Sequence, residues 1–107
     1  MTTFDKREDE FEKAFVHDAE MRFKVDSKRN RALGLWAAEK LGLNTANADS
    51  YADELVSLGA SSGDRDEVFD RLRADFDAAG IDLSDHQIQR EMEDRTAAAR
   101  KELMAQG

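Results

Sequence analysis

The chain has 107 residues, 40% apolar and 37% charged, with a formal net charge of -8, no Cys and no Pro. That length suits one small domain, the absence of Cys excludes disulfides and thiolate chemistry, and the acidic balance argues against a general nucleic-acid binder, which is normally basic. No run approaches the roughly 18 apolar residues of a membrane span, and the opening "MTTFDKREDE" has neither the basic start nor the apolar run of a secretory signal, so the expectation is a soluble intracellular protein with no direct membrane insertion.

The first predicted element is a helix over about 4–41, with Gly42 as its stop. Its first twenty residues place Phe4, Phe11 and Phe15 on one face, at steps of seven and four. Around that stripe sit Asp5, Glu8, Asp9, Glu10, Glu12, Asp18 and Glu20 against Lys6, Arg7 and Lys13, a net of -4. From Arg22 to Lys40 the balance reverses. Arg22, Lys24, Lys28, Arg29, Arg31 and Lys40 face only Asp26 and Glu39, a net of +4. Beyond the basic run come Leu33, Trp36, Ala37 and Leu41, a core-like stripe. The aromatic stripe is narrow, and short isolated helices are marginal in water. The N-terminal segment is therefore read either as a fourth side of the same core or as a mobile segment that awaits a groove in another protein.

A second helix is predicted over 45–58, capped by Asn44 or Thr45 and stopped at Gly59, with Ala48, Tyr51, Ala52, Leu55 and Val56 on its apolar face. After the turn-rich "GASSGD", "DRDE" suggests a third helix over 64–79. Asp64 is its N-cap, Glu67 lies three residues on, and Gly80 is the stop. Its stripe is Val68, Phe69, Leu72, Phe76 and Ala79. A fourth helix over 84–105 starts at "SDHQ", where Ser84 and Gln87 have capping-box spacing. It carries Ile88, Met92, Thr96, Ala99 and Leu103, with Ile81 and Leu83 just ahead. Steps of three and four give each helix one buried stripe. With no Pro and few β-branched residues, nothing favours strands. The prediction is all-α: a small four-helix bundle with a long first helix, short loops and roughly antiparallel neighbours. The domain organisation expected is an N-terminal segment 1–20 and a helical bundle domain 21–107.

Candidate chemistry is sparse. No nucleophile is paired with a base and no carboxylates are singled out by spacing, so an enzyme is not expected. His17 beside Asp18 can report pH, since His titrates near pH 6.5, or be a plain surface residue. His86 falls in the first turn of the last helix. Two distant His without Cys make no metal site. The basic run is either a solvated face, a patch that steers docking, or a phosphate-binding patch beside Trp36. No Gly-rich phosphate loop accompanies it, so the cofactor expected is none, with weak nucleotide binding as a lesser role.

The segments "Phe15-Val16-His17-Asp18", "Phe23-Lys24", "Arg29-Asn30" with "Leu33-Gly34-Leu35-Trp36-Ala37-Ala38", "Asp66-Glu67-Val68-Phe69" and "Ser84-Asp85-His86-Gln87-Ile88" together give the chain a close resemblance to the small zeta inhibitor subunit of alphaproteobacterial F-type ATP synthases. The resemblance spans nearly the whole chain and rests on combination and spacing, since none of these segments is a catalytic motif. It implies a four-helix protein that binds the catalytic head of the synthase and blocks ATP hydrolysis. The N-terminal segment is then the inhibitory element, lodged between head subunits. It implies partner-binding roles for Phe4, Asp5, Arg7, Glu8, Phe11, Lys13, Phe15, His17 and Asp18. Arg22, Lys24, Lys28, Arg29 and Arg31 are left as docking or nucleotide contacts. The free protein is expected to be a cytoplasmic monomer, peripheral to the inner membrane through the synthase. The alternative is a standalone helical adaptor or nucleotide-responsive regulator.

Overall fold

A computed structural model describes residues 2–61 and 66–106, and the side chains of residues 19–61 and 66–105. Four α-helices account for it: α1 Thr2–Leu41, α2 Thr45–Ser61, α3 Glu67–Ala78 and α4 Asp85–Gln106. No strand occurs among the described residues. The protein is an all-α four-helix bundle with one long helix. The mobility expected of the N-terminal segment concerns side chains outside the described residues.

The ends of the helices follow from local chemistry. Gly42 and Gly80 both have positive φ, 74° and 71°, which Gly adopts without a Cβ penalty. At each, two backbone bonds close the preceding helix. The Gly42 N–H donates to the Glu39 carbonyl and the Leu43 N–H to the Ala38 carbonyl; the Gly80 N–H donates to Asp77 and the Ile81 N–H to Phe76. Asn44 caps α2 by accepting from the Asn47 N–H at 2.9 Å. The predicted capping box of α4 is formed in both directions: Ser84 Oγ accepts from the Gln87 N–H at 3.1 Å, and Gln87 Oε1 accepts from the Ser84 N–H at 2.8 Å.

Two predicted boundaries are corrected. The N-cap of α3 is Asp66, which accepts from the Phe69 N–H, so α3 begins at Glu67; Asp64, the predicted cap, lies outside the described residues. Gly59 does not stop α2, which continues through it to Ser61. A Cβ at Gly59 would lie 2.1 Å from Asn30 Nδ2. The missing side chain is a space requirement of the α1–α2 contact rather than a helix terminator. Gly34 of α1 makes the reciprocal approach to α2, since a Cβ there would lie 2.4 Å from a backbone atom, Ala52 Cα. Small residues on both sides let the two backbones approach.

The core is formed by Leu33, Ala37 and Ala38 of α1, Tyr51 and Leu55 of α2, Val68, Leu72 and Phe76 of α3, and Ile88 and Met92 of α4. It extends further toward the N-terminus than the apolar stripe suggested, because Val25 and Asn30 are also buried. Trp36 sits at its margin, half-buried, edge-on to Phe76 with ring centroids 5.5 Å apart. Ala79, read as core, is the exposed C-cap of α3.

Glu102 near the end of α4 pairs with Lys28 at 3.2 Å while Ile88 near its start joins the core with Leu33 and Ala37, so α4 runs antiparallel to α1. Arg31 pairs with Asp53 at 2.6 Å and Asp49 at 3.5 Å, and the end of α2 reaches the turn of α1 around Arg22. At 1.5 Å per residue, α1 is about 60 Å long, α2 about 26 Å and α4 about 33 Å. The antiparallel partners can therefore cover only the C-terminal half of α1, and the molecule measures 64 × 25 × 22 Å.

Candidate protein-binding surface

The residues singled out by the sequence all lie on α1. Phe4, Asp5, Arg7, Glu8, Phe11, Lys13, Phe15, His17 and Asp18 belong to the stretch whose side chains lie outside the described residues; its backbone is helical and continuous with the rest of α1.

The basic run divides in two. Lys28 and Arg31 are engaged within the chain, with Glu102 and with Asp53 and Asp49. These pairs are largely exposed, so each contributes little to stability, of order 0–1 kcal/mol. Their effect is to tie α1 to α4 and α2 and to neutralise charge that a partner would otherwise meet. Arg29 is half-buried, and its Nε donates to Asn30 Oδ1 at 3.0 Å. That bond satisfies part of the buried amide, which would be costly to leave unpaired. Arg29 also borders a cleft of about 600 Å³ between α1 and α4, with Met92, Thr96 and Arg100. Arg22 and Lys24 are exposed and have no ion-pair partner among the described residues.

Between Arg22 and Lys24 stands Phe23, 63% exposed. It borders a groove of about 260 Å³ where the end of α2 meets α1, lined also by Ala19, Arg22, Asp26, Val56 and Ala60. Sequence reasoning assigns Phe23 no role beyond its place in the segment Phe23-Lys24. The available signal was its position, an aromatic bracketed by cations and off the line of Val25, Leu33 and Ala37 that enters the core.

On the α2–α3 side the polar contacts are internal. The Tyr51 hydroxyl donates to Asp75 Oδ2 at 2.6 Å. Arg71 lies over the Tyr51 ring at 5.3 Å and pairs with both Asp75 and Glu54. Burial pushes the Tyr51 phenol up from its ordinary range, and the hydrogen bond to Asp75 and that carboxylate's charge push it further. Arg71 is held charged more firmly than usual by its bonds to Asp75 and Glu54. Arg73 joins the end of α3 to the start of α4 through Asp77, Asp85 and the Leu83 carbonyl. These groups hold helices together; Arg71 and Glu54 also border an open cleft of about 450 Å³ with Ser57, Leu58 and Ser61.

Trp36 packs against Phe76 and the core, and His86 is exposed in the first turn of α4. Among the described residues no His, Asp and Glu gather into a group that could hold a metal ion, and no helix is long and apolar enough to cross a membrane.

A family model described as ATPase inhibitor subunit zeta matches residues 1–102. No curated protein and no solved structure matches the chain.

Proposed function

The chain belongs to the ATPase inhibitor subunit zeta family, and on that premise we propose that it inhibits ATP hydrolysis by the catalytic head of an F-type ATP synthase, inserting the N-terminal half of α1 between head subunits. The observation that carries this reading is the extent of the family match, which starts at residue 1 and so takes in the acidic, Phe-bearing segment as well as the bundle. The geometry agrees with it, because α1 is about twice the length of the helices that pack against it. In this reading residues 1–20 are the inhibitory element and residues 21–107 the bundle that carries it.

The physical account has two parts. Phe4, Phe11 and Phe15 fall at steps of seven and four, so one groove can receive all three, and burying each contributes about 1.5–3 kcal/mol. The acids and cations around them, Asp5, Arg7, Glu8, Lys13, His17 and Asp18, then set orientation against the groove rim. The protein performs no chemistry of its own; it holds the head in a state that cannot turn over, and it reaches the membrane only through the synthase.

The test is a titration of ATP hydrolysis by the isolated catalytic head. Added protein should lower the rate in a saturable way, and Phe11→Ala with Phe15→Ala should weaken that effect strongly without unfolding the bundle. A hydrolysis rate indifferent to saturating protein would sink the reading and favour a standalone helical adaptor.

A further inference from the structure

The open end of the bundle has a feature the inhibitory segment does not explain. Phe23 presents a large aromatic side chain at 63% exposure on the part of α1 where α2 ends. Successive helical residues are about 100° apart, so Arg22 and Lys24 stand on either flank of that ring. The apolar floor beside it comes from Val56 and Ala60 of α2. At about 260 Å³ the groove is smaller than the usual range of small-molecule pockets, roughly 300–1,000 Å³. It suits a single inserted side chain better than a cofactor.

Charge says what accompanies that side chain. Farther along α1 the cations are matched by acids of the chain itself, Lys28 by Glu102 and Arg31 by Asp53 and Asp49. Arg22 and Lys24 have no such match among the described residues, although the chain as a whole is acidic. Asp26, also on the groove, lies four residues from Arg22 but makes no ion pair with it. Among the described residues no carboxylate takes up either cation, which suits both to carboxylates from outside.

We propose that Phe23, with Arg22 and Lys24 on its flanks and the Val56–Ala60 floor beside it, is a second docking surface that takes an apolar side chain bracketed by carboxylates on a subunit of the ATP synthase. The proposal rests on the inhibitory reading above but concerns different residues. Phe23 acts as the apolar anchor, and Arg22 and Lys24 raise the association rate and fix register, since complementary charge acts on both. The surface binds the bundle to the synthase at the base of the inhibitory segment.

The experiment measures inhibition of the isolated catalytic head, and association kinetics with it, for wild type, Phe23→Ala, the pair Arg22→Glu with Lys24→Glu, and Leu35→Ala. Leu35, 40% exposed on α1 away from the groove, is the control. All three sites are solvent-facing, so circular dichroism and the melting temperature should match wild type. Phe23→Ala should raise the concentration for half-inhibition about tenfold, as loss of a buried anchor does. The charge pair should slow association and reduce its salt dependence, and Leu35→Ala should change neither. Wild-type inhibition retained by both Phe23→Ala and the charge pair overturns the proposal and leaves the inhibitory reading standing. An equal loss with Leu35→Ala overturns the assignment to this groove. A wild-type dimer that Phe23→Ala converts to monomer, with inhibition unchanged, gives the surface to a second copy of the chain instead. A wild-type protein that does not inhibit at all overturns the function, and this surface with it.

Discussion

Tyr51 is the chain's one tyrosine and Trp36 its one tryptophan, so two residues of the core can be followed separately by absorbance and fluorescence. The Tyr51 phenol is buried and donates to Asp75, so the folded chain holds its proton more tightly than the unfolded chain does. A raised pKa contributes stability that is fully present below the unfolded value of about 10 and is lost as pH rises from there through the folded value. Tyrosinate absorbance of the native protein should therefore lag behind that of the protein in urea, and Tyr51→Phe should flatten the alkaline loss of stability. Coincident titration curves would show that the hydroxyl is not held as described. At the core, Phe76 is fully buried and Trp36 only half so. Phe76→Ala should cost about 3–5 kcal/mol in urea unfolding, and Trp36→Ala less, about 1–3 kcal/mol. The reverse order would move the centre of the core toward Trp36.

At the level of helices, the α1–α2 crossing is set by absent side chains. Gly59→Ala drives a Cβ into the buried Asn30 amide, and overpacking of this kind costs about 1–3 kcal/mol. Asn30→Ala introduced alongside should recover part of the loss, because it vacates that space; the coupling is measurable in a double-mutant cycle. Additive losses would mean that the two residues do not meet. This crossing also marks where the sequence stopped being legible. Helix number, the capping box at Ser84, the Asn44 cap and the stops at Gly42 and Gly80 were readable because each is decided within about five residues. The role of Gly59 was not, because a Gly required for close approach and a Gly that ends a helix look the same without the neighbour, here Asn30 from twenty-nine positions upstream. Asn30 itself reads as polar surface until α2 covers it. The basic run was visible, but its division into Lys28 and Arg31, which are paired, and Arg22 and Lys24, which have no pair among the described residues, depends on acids brought in by α2 and α4.

For the whole molecule, fold and function should separate at the point where α1 outruns its partners. Among the described residues the buried ones start at Val25, beyond the stretch 1–18 that a truncation would remove. The truncated protein should keep its bundle helicity and nearly its melting temperature, while inhibition of the catalytic head disappears. A truncated protein that unfolded would make the N-terminal half of α1 part of the core, and one that still inhibited would move inhibition to the bundle. The Lys28–Glu102 tie between the first helix and the last also orders events in time. Synthesis proceeds at about 5–20 residues per second, so α1 is complete for about a few seconds before α4 emerges to cover it. During that interval α1 can pair with α2 and then α3, and the side of the core that Ile88 and Met92 fill lies bare. The chain's net charge of -8 opposes association of half-made chains through that bare side, because like net charge keeps proteins apart.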